Sequence, residues 1–185
     1  LAFEESDCED GNIVIYQNDG ENGFEKIRWK YARALGNDLI NSTGTAEWID
    51  FDNDSDLDIL IAGQYSCSTV DGYSVVLRNE GNGDFQPFKP PFLTFGEYTH
   101  RVDVEVGDFN NDGKNDFFIY GEKDGSNSTN LWLNDENEGF IYFEIKDILH
   151  ASWTGSMDAG DFDGDGDVDI VIAGTKDRNV EDIKI

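Results

Sequence analysis

Residues 161–174 read DFDGDGDVDIVIAG, a stretch in which a run of like charge leads directly into an apolar run. Five aspartates occupy alternate positions from Asp161 to Asp169. The β-branched apolar residues that follow them are typical of a buried β-strand. A tight turn that points alternate side-chain oxygens inward is a cage for a hard cation such as Ca²⁺. The stretch therefore predicts a cation-binding turn immediately before a strand.

The acidic turn is one of three related segments. They are WIDFDNDSDLDILIAG at 48–63, VGDFNNDGKNDFFIYG at 106–121 and AGDFDGDGDVDIVIAG at 159–174. Their first aspartates lie 58 and 53 residues apart. A second motif repeats with a similar spacing, since NDGENGF begins at Asn18, NEGNGDF at Asn79 and NDENEGF at Asn134. Two motifs with one period indicate a repeat protein.

Each repeat predicts four short antiparallel strands, which describes one propeller blade. The acidic turn joins the first strand to the second, and the Asn/Gly-rich turn joins the third to the fourth. The fold class predicted is therefore all-β, a β-propeller-like array with two complete blades and incomplete terminal ones. The predicted units are a C-terminal half-blade at 1–30, blades at 45–89 and 100–147, and the N-terminal part of a blade at 155–185.

The three acidic turns place oxygen-bearing side chains at positions one, three, five and nine, and position seven varies as expected where only a backbone carbonyl binds. The predicted metal ligands are Asp50, Asp52, Asp54, Asp56 and Asp58; Asp108, Asn110, Asp112, Lys114 and Asp116; and Asp161, Asp163, Asp165, Asp167 and Asp169. Magnesium demands stricter octahedral geometry, and zinc or copper would need histidine or cysteine. Solvated turns that bind nothing are the simpler alternative, but turn chemistry does not require the same oxygen positions three times. A helical EF-hand needs a carboxylate at position twelve, where this chain has Ile61, Ile119 and Ile172.

The turn D-F-[DN]-x-D-[GS]-x-x-D followed by D-[IF]-x-I-x-G resembles the FG-GAP/VCBS repeats found in integrin α-subunit propellers and many surface proteins. The resemblance implies a propeller fold, about three calcium ions with one per blade, and an extracellular or cell-surface location. Ser55 replaces the usual glycine at position six and predicts strain in the first loop. Asn110 replaces a carboxylate, so the second site is predicted to be the weakest. Phe51, Phe109 and Phe162, one per turn, are predicted to form inter-blade core.

Three arrangements account for the incomplete terminal blades. The chain is an excerpt of a longer propeller, or it closes on itself, or its N-terminal half-blade completes the C-terminal one of another copy, which gives a ring or filament. The start at Leu1 also indicates a processed protein or a fragment. The segment VEDIKI at 180–185 resembles a third strand, which would make the two halves overlap slightly.

Cys8 and Cys67 occupy similar places in neighbouring repeats, and a disulfide between them would join the first half-blade to the first full blade. Two unrelated thiols are the alternative. Asn41 and Asn127 begin Asn-x-Ser/Thr triplets in polar stretches and are predicted glycosylation sites.

The formal net charge of −27 excludes nucleic acid as a partner and argues against anionic membrane surfaces. No apolar run approaches the roughly 18 residues of a membrane-inserted helix. The sequence therefore favours a non-catalytic calcium-binding structural or adhesion protein that associates with itself or with another extracellular protein or glycan. A glycan-binding module is the alternative, with Trp29, Tyr98 and Trp153 as stacking rings. Catalysis is disfavoured because His100 and His150 accompany no catalytic motif.

Overall fold

The computed structural model describes residues 14–27, 44–64, 72–81, 84–88, 98–123, 126–135, 139–143, 145 and 152–175. Every regular element in these ranges is a β-strand, so the predicted all-β class is confirmed there. A search of the same ranges finds no helix with the length and hydropathy needed to cross a membrane.

Twelve strands lie in the described ranges. The first six are β1 (Ile15–Asn18), β2 (Phe24–Ile27), β3 (Gly44–Ile49), β4 (Asp58–Gln64), β5 (Gly72–Asn79) and β6 (Phe85–Phe88). The other six are β7 (Tyr98–Gly107), β8 (Asp116–Lys123), β9 (Ser126–Asp135), β10 (Gly139–Phe143), β11 (Ser152–Gly160) and β12 (Asp169–Thr175).

The strands form four antiparallel sheets in which sequence neighbours are also spatial neighbours. We call them the N-terminal pair (β1–β2), the first sheet (β3–β6), the second sheet (β7–β10) and the C-terminal pair (β11–β12). Strand β7 packs against β3 on one side and against β11 on the other, so the first strands of successive sheets lie side by side. Successive four-stranded sheets stacked in this way are propeller-like.

The first and second sheets are buried on both faces. In β4, Leu60 and Ala62 belong to the core that the first sheet shares with the second, whereas Ile59 and Ile61 belong to the core on the opposite face, against which Ile15 of β1 packs. Alternate residues of a strand point to opposite faces, so one apolar run serves both cores. Strand β8 repeats the pattern, with Phe117 and Ile119 facing the first sheet and Phe118 and Tyr120 facing the C-terminal pair.

The repeats agree at the level of strand register. The second and third strands pair Ile59 with Leu77 in the first sheet and Phe117 with Trp132 in the second. The third and fourth strands pair asparagine with phenylalanine each time, as Asn18↔Phe24, Asn79↔Phe85 and Asn134↔Phe140. Equivalent residues of the repeats therefore pair with equivalent residues on the neighbouring strand.

The three turn phenylalanines have different environments. Phe51 is buried in the core between the first and second sheets. Phe109 packs edge-on against Phe118, with ring centroids 4.8 Å apart, in the core next to the C-terminal pair. Phe162 is 82% exposed, so the prediction that it forms inter-blade core is wrong. The physical reason is that no described element packs beyond the C-terminal pair to cover it.

Several predicted residues fall outside the described residues, and their predictions stay untested. These are Cys8, Cys67, Asn41, Trp29, His150 and the segment 176–185. For four others the structure describes the backbone alone: Tyr98 and His100 lie in β7, Asn127 in β9 and Trp153 in β11.

Candidate metal centres in the acidic loops

Each acidic loop joins the first strand of a sheet to the second, and its backbone makes the same two unusual turns. Positions four and six have positive φ in all three loops. The values are 57° at Asn53 and 75° at Ser55, 59° at Asn111 and 85° at Gly113, and 80° at Gly164 and 98° at Gly166. Asparagine and glycine tolerate this conformation, whereas serine adopts it at a cost. The strain predicted at Ser55 therefore has a structural basis.

The first aspartate of each loop is held by backbone amides. Asp50 accepts hydrogen bonds from the amides of Asp54 and Ser55, both at 3.1 Å. Asp108 accepts from Asp112 at 3.0 Å and Gly113 at 2.8 Å, and Asp161 accepts from Asp165 at 3.1 Å and Gly166 at 3.0 Å. These bonds curl the loop around its first carboxylate, which fixes the direction of the remaining side chains.

The ninth aspartate ties the loop to the body of the sheet. Asp58 is fully buried and accepts the amides of Phe51 at 3.0 Å and Asn79 at 2.7 Å. Asp116 is also fully buried and accepts the amides of Phe109 at 3.0 Å and Asn134 at 2.8 Å. Burial raises the pKa of both carboxyls, and the two amide donors only partly offset that rise. Position nine is therefore a structural anchor as well as a predicted ligand.

Carboxylate oxygens converge in the first and third loops. One oxygen each from Asp50, Asp52 and Asp54 lie within 4.8 Å of one another. The same holds for Asp161, Asp163 and Asp169. Two oxygens bound to one Ca²⁺ at 2.3–2.6 Å can be at most about 5 Å apart. Both sets of residues therefore fit a calcium ion, in donor chemistry and in spacing.

The second loop is arranged differently. Among the described side chains, its carboxylates form no group of three. Asn110 accepts the amide of Asp112 at 2.9 Å, and its own Nδ2 donates to Asp112 Oδ2 at 3.2 Å. The Lys114 ammonium lies 3.8 Å from the same Asp112 oxygen. The Asn110 amide and the Lys114 ammonium thus contact Asp112 where a bound cation would otherwise lie. That this site is the weakest stays a prediction.

The first and third loops differ in their counter-charge. Arg78 on β5 places its Nε 2.9 Å from Asp52 Oδ2. Burial and the neighbouring Asp54 nevertheless raise the pKa of Asp52, because Arg78 offsets them only in part. In the part of the chain that the structure describes, no lysine or arginine forms an ion pair with the third loop. The third loop therefore has the greatest unbalanced charge.

Sequence reasoning missed the role of two asparagines. Asn79 and Asn134 donate their amides to the anchoring aspartates, and their Nδ2 groups donate to loop carbonyls, at 3.1 Å to Leu57 and 3.2 Å to Asn115. Asn134 Nδ2 also donates to the Phe51 carbonyl of the preceding sheet at 2.8 Å. Their recurrence at the repeat spacing was the available signal, but it indicated only a turn.

A further set of carboxylates lies on the inner strands, three residues before each loop. Glu47, Glu105 and Asp158 occupy this position, and Asp103 lies two residues before Glu105 on β7. Asp103 Oδ2 accepts the Met157 amide at 2.9 Å and so joins β7 to β11. Burial, helped by the three surrounding carboxylates, raises the pKa of Glu105 to about 7. Adjacent first strands thus bring like charges together.

Comparisons with known proteins bear on the family and the fold of this chain. A family model described as an FG-GAP-like repeat matches residues 50–119 and again residues 108–172, which confirms the resemblance found in the sequence. No curated protein matches the chain. A similar solved structure is that of a lectin from Agrocybe aegerita, described by its specific recognition of non-reducing terminal N-acetylglucosamine. The two share 19% identity with a TM-score of 0.53, over 88% of this chain and 41% of the lectin chain. At that identity the likeness shows the fold alone, and this chain spans less than half of the lectin.

Proposed function

Because the chain belongs to the FG-GAP-like repeat family, we propose that it is a non-catalytic, extracellular, calcium-binding module of β-propeller type with a structural or adhesive role. The observation that carries this proposal is the convergence of three carboxylate oxygens within 4.8 Å in the first loop and again in the third. Three carboxylates this close repel one another strongly unless a cation lies between them.

One Ca²⁺ per loop is held by the acidic side chains of that loop. Asp50, Asp52 and Asp54 bind in the first loop, and Asp161, Asp163 and Asp169 in the third. In the second loop, Asp108 and Asp112 bind with the amide oxygen of Asn110. Bound calcium supplies positive charge and cross-links residues of one loop. The affinity falls from the third loop to the first and then the second, because Arg78 competes for Asp52 and Lys114 for Asp112.

The proposed location follows from the strength expected of such sites. Calcium sites of extracellular modules bind at about 10⁻⁴–10⁻³ M, and sites of that strength fill only where calcium is plentiful. The net charge of −27 is also best tolerated where cations neutralise part of it. Partners in that setting are other extracellular proteins, glycans or further copies of this chain.

Isothermal titration with calcium tests the proposal. The full chain should bind about three ions, and each saturated site should stabilise the fold by about 2.7 kcal/mol at a hundredfold excess over its Kd. Asp163→Ala should remove the tightest site, and Asp52→Ala the next. Glu25→Gln, an equal charge change on exposed β2, is the matched control and should leave the titration unchanged. The proposal fails if millimolar calcium gives no heat and no thermal shift.

Glycan binding is a second candidate, favoured by one aromatic pair. Trp132 and Tyr142 pack edge to face with centroids 5.5 Å apart, and Tyr142 on β10 is half exposed. An exposed ring of this kind offers a stacking surface to a sugar. Saturation-transfer NMR with N-acetylglucosamine is the direct test, with Tyr142→Ala as the variant that should abolish transfer. This candidate would be ruled out if N-acetylglucosamine showed no saturation transfer and no other glycan of an array bound the protein.

A further inference from the structure

We propose that two copies of this chain associate head to tail, with β12 of one copy pairing with β1 of the other to complete a four-stranded sheet in the order β11–β12–β1–β2. This inference rests on the part of the proposed function that names further copies of this chain as partners. It adds the two surfaces through which the copies meet. Among the described strands, β12 pairs only with β11 and β1 only with β2, so β12 and β1 each have one side without a strand neighbour. Such edges are templates for another strand.

The outward face of the C-terminal pair exposes two large apolar side chains. Val171 is 63% exposed and Phe162 is 82% exposed. Their equivalents in the first sheet, Leu60 and Phe51, are buried against the second sheet. In the second sheet, Phe118 is buried and Phe109 packs on it, both toward the C-terminal pair. Two internal junctions of this chain therefore show what covers this face, namely the next sheet of the same repeat type.

The N-terminal pair exposes the complementary face. Tyr16 is 59% exposed and Phe24 is 70% exposed. Their equivalents lie at the junction with the preceding sheet. In the second sheet these are Trp132, which packs on the core shared with the first sheet, and Phe140, which is buried in it. Among the described strands, no sheet precedes the N-terminal pair and none follows the C-terminal pair.

The internal sheets also dictate the register of the new pairing. Leu60 pairs with Val76 and Phe118 with Leu131 in the complete sheets. The repeat alignment converts these pairs into Val171 opposite Ile15 and Ile170 opposite Tyr16. Ile15 and Val171 then point toward the same side, onto the first sheet of the copy that contributes Ile15.

The hydrogen bonds of the anchoring aspartates support the same register. The anchoring carboxylates Asp58 and Asp116 each accept an asparagine amide from the third strand, at 2.7 and 2.8 Å. Asp169 accepts only the Phe162 amide, at 3.1 Å, among the described residues. The equivalent third-strand asparagine is Asn18, which ends β1. Pairing in the stated register brings the Asn18 amide of one copy to Asp169 of the other.

At the internal junction with the C-terminal pair, a large side chain packs on a glycine, and the new junction offers an equivalent pair. Val168 of the third loop packs on Gly107, its side chain 3.2 Å from where a glycine Cβ would lie. The equivalent pair across the new junction is Leu57, which is 51% exposed, and Gly160, which has no heavy atom within 4 Å of its Cβ position. Trp48, 50% exposed on β3, lies on the same side as Leu57 and would be covered too. A contact that joins two different surfaces continues into a ring or a filament.

Sedimentation velocity of the full chain at millimolar calcium tests the inference. We expect species heavier than the monomer, which Val171→Lys with Phe162→Ser should convert to monomer. Tyr16→Ser with Phe24→Ser, on the opposite surface, should do the same. An equimolar mixture of these two variants should form a one-to-one dimer and nothing larger, because each retains one intact surface. Ile141→Ser, at a 43% exposed residue of β10, is the matched control and should assemble like the wild type.

A disulfide trap tests the register directly. With Cys8 and Cys67 replaced by serine, Ile15→Cys and Val171→Cys should cross-link different copies, whereas Tyr16→Cys with Val171→Cys should not, because Tyr16 points to the other face. A folded wild-type monomer at high protein concentration, or a cross-link confined to one copy, overturns the inference. Calcium titration of the monomeric variants keeps the two proposals apart. Intact calcium binding without assembly refutes only this inference, and assembly without calcium binding refutes only the proposed function.

Discussion

Replacing Asp116 with alanine isolates the anchoring role of position nine. The carboxylate is fully buried and accepts the amides of Phe109 at 3.0 Å and Asn134 at 2.8 Å. Burial raises its pKa, so the charge itself is not the source of stability. The loss comes from the buried Asn134 amide and the part-buried Phe109 amide, both left without an acceptor at about 1–3 kcal/mol each. We expect Asp116→Ala to lower the free energy of unfolding by about 4 kcal/mol and Tm by about 8–16 °C.

The matched control is the equivalent aspartate of the C-terminal pair. Asp169 is half-buried and accepts only the Phe162 amide among the described residues, at 3.1 Å. Asp169→Ala should therefore cost only about 1 kcal/mol, or about 2–4 °C. Thermal and urea unfolding should be followed in excess chelator, so that neither change acts through calcium, and at protein concentrations where the chain is monomeric. Equal losses for the two variants would refute the argument, since they differ in burial and in the number of amides held.

Three smaller changes test other parts of the loops and inner strands. Ser55→Gly relieves the positive φ of 75° and should raise the free energy of unfolding by about 1 kcal/mol in urea titrations; a decrease would contradict the strain. Lys114→Gln removes the ammonium 3.8 Å from Asp112 and should tighten calcium binding by up to about fivefold in calorimetry, the scale of a partly exposed ion pair; weaker binding would contradict the competition. Burial raises the pKa of Glu105 from an ordinary value of 4.5 to about 7, so the free energy of unfolding should fall as pH rises from 4.5 through about 7, where the folded protein loses that proton. Glu105→Gln should flatten this decline when Tm is measured against pH.

The repeat itself made much of the fold predictable from sequence. Apolar runs mark β4 and β8 as strands, and the two turn motifs mark where the chain reverses. Both signals depend on residues close together in sequence, so they predict antiparallel strands in sequence order. The sequence also predicted converging carboxylates, which the first and third loops have, whereas the second loop has no group of three among the described side chains. Ser55 was identified as strained from its place alone, and its φ of 75° agrees.

Contacts between distant residues were not predictable in the same way. Arg78 reaches Asp52, and Asn79 reaches Asp58, only because β5 folds back beside the loop. The exposure of Phe162 depends on which neighbour follows a sheet, and the repeat pattern assigns a neighbour whether or not one is described. Sequence reasoning treats every repeat as equivalent, whereas packing distinguishes internal sheets from terminal ones.

The carboxylates of the inner strands connect the loops to proton binding. Glu105 lies three residues before Asp108, which is about 10 Å along an extended strand. A divalent ion at that distance stabilises the ionised form of Glu105, although solvent and salt weaken the effect to a few tenths of a pK unit. Calcium should therefore lower the pKa of Glu105, because the ion opposes the repulsion from Asp103, Glu47 and Asp158. Carboxyl ¹³C NMR of Glu105 against pH, with calcium and then with chelator, measures the shift. An unchanged midpoint would mean that the loops and the inner carboxylates act independently.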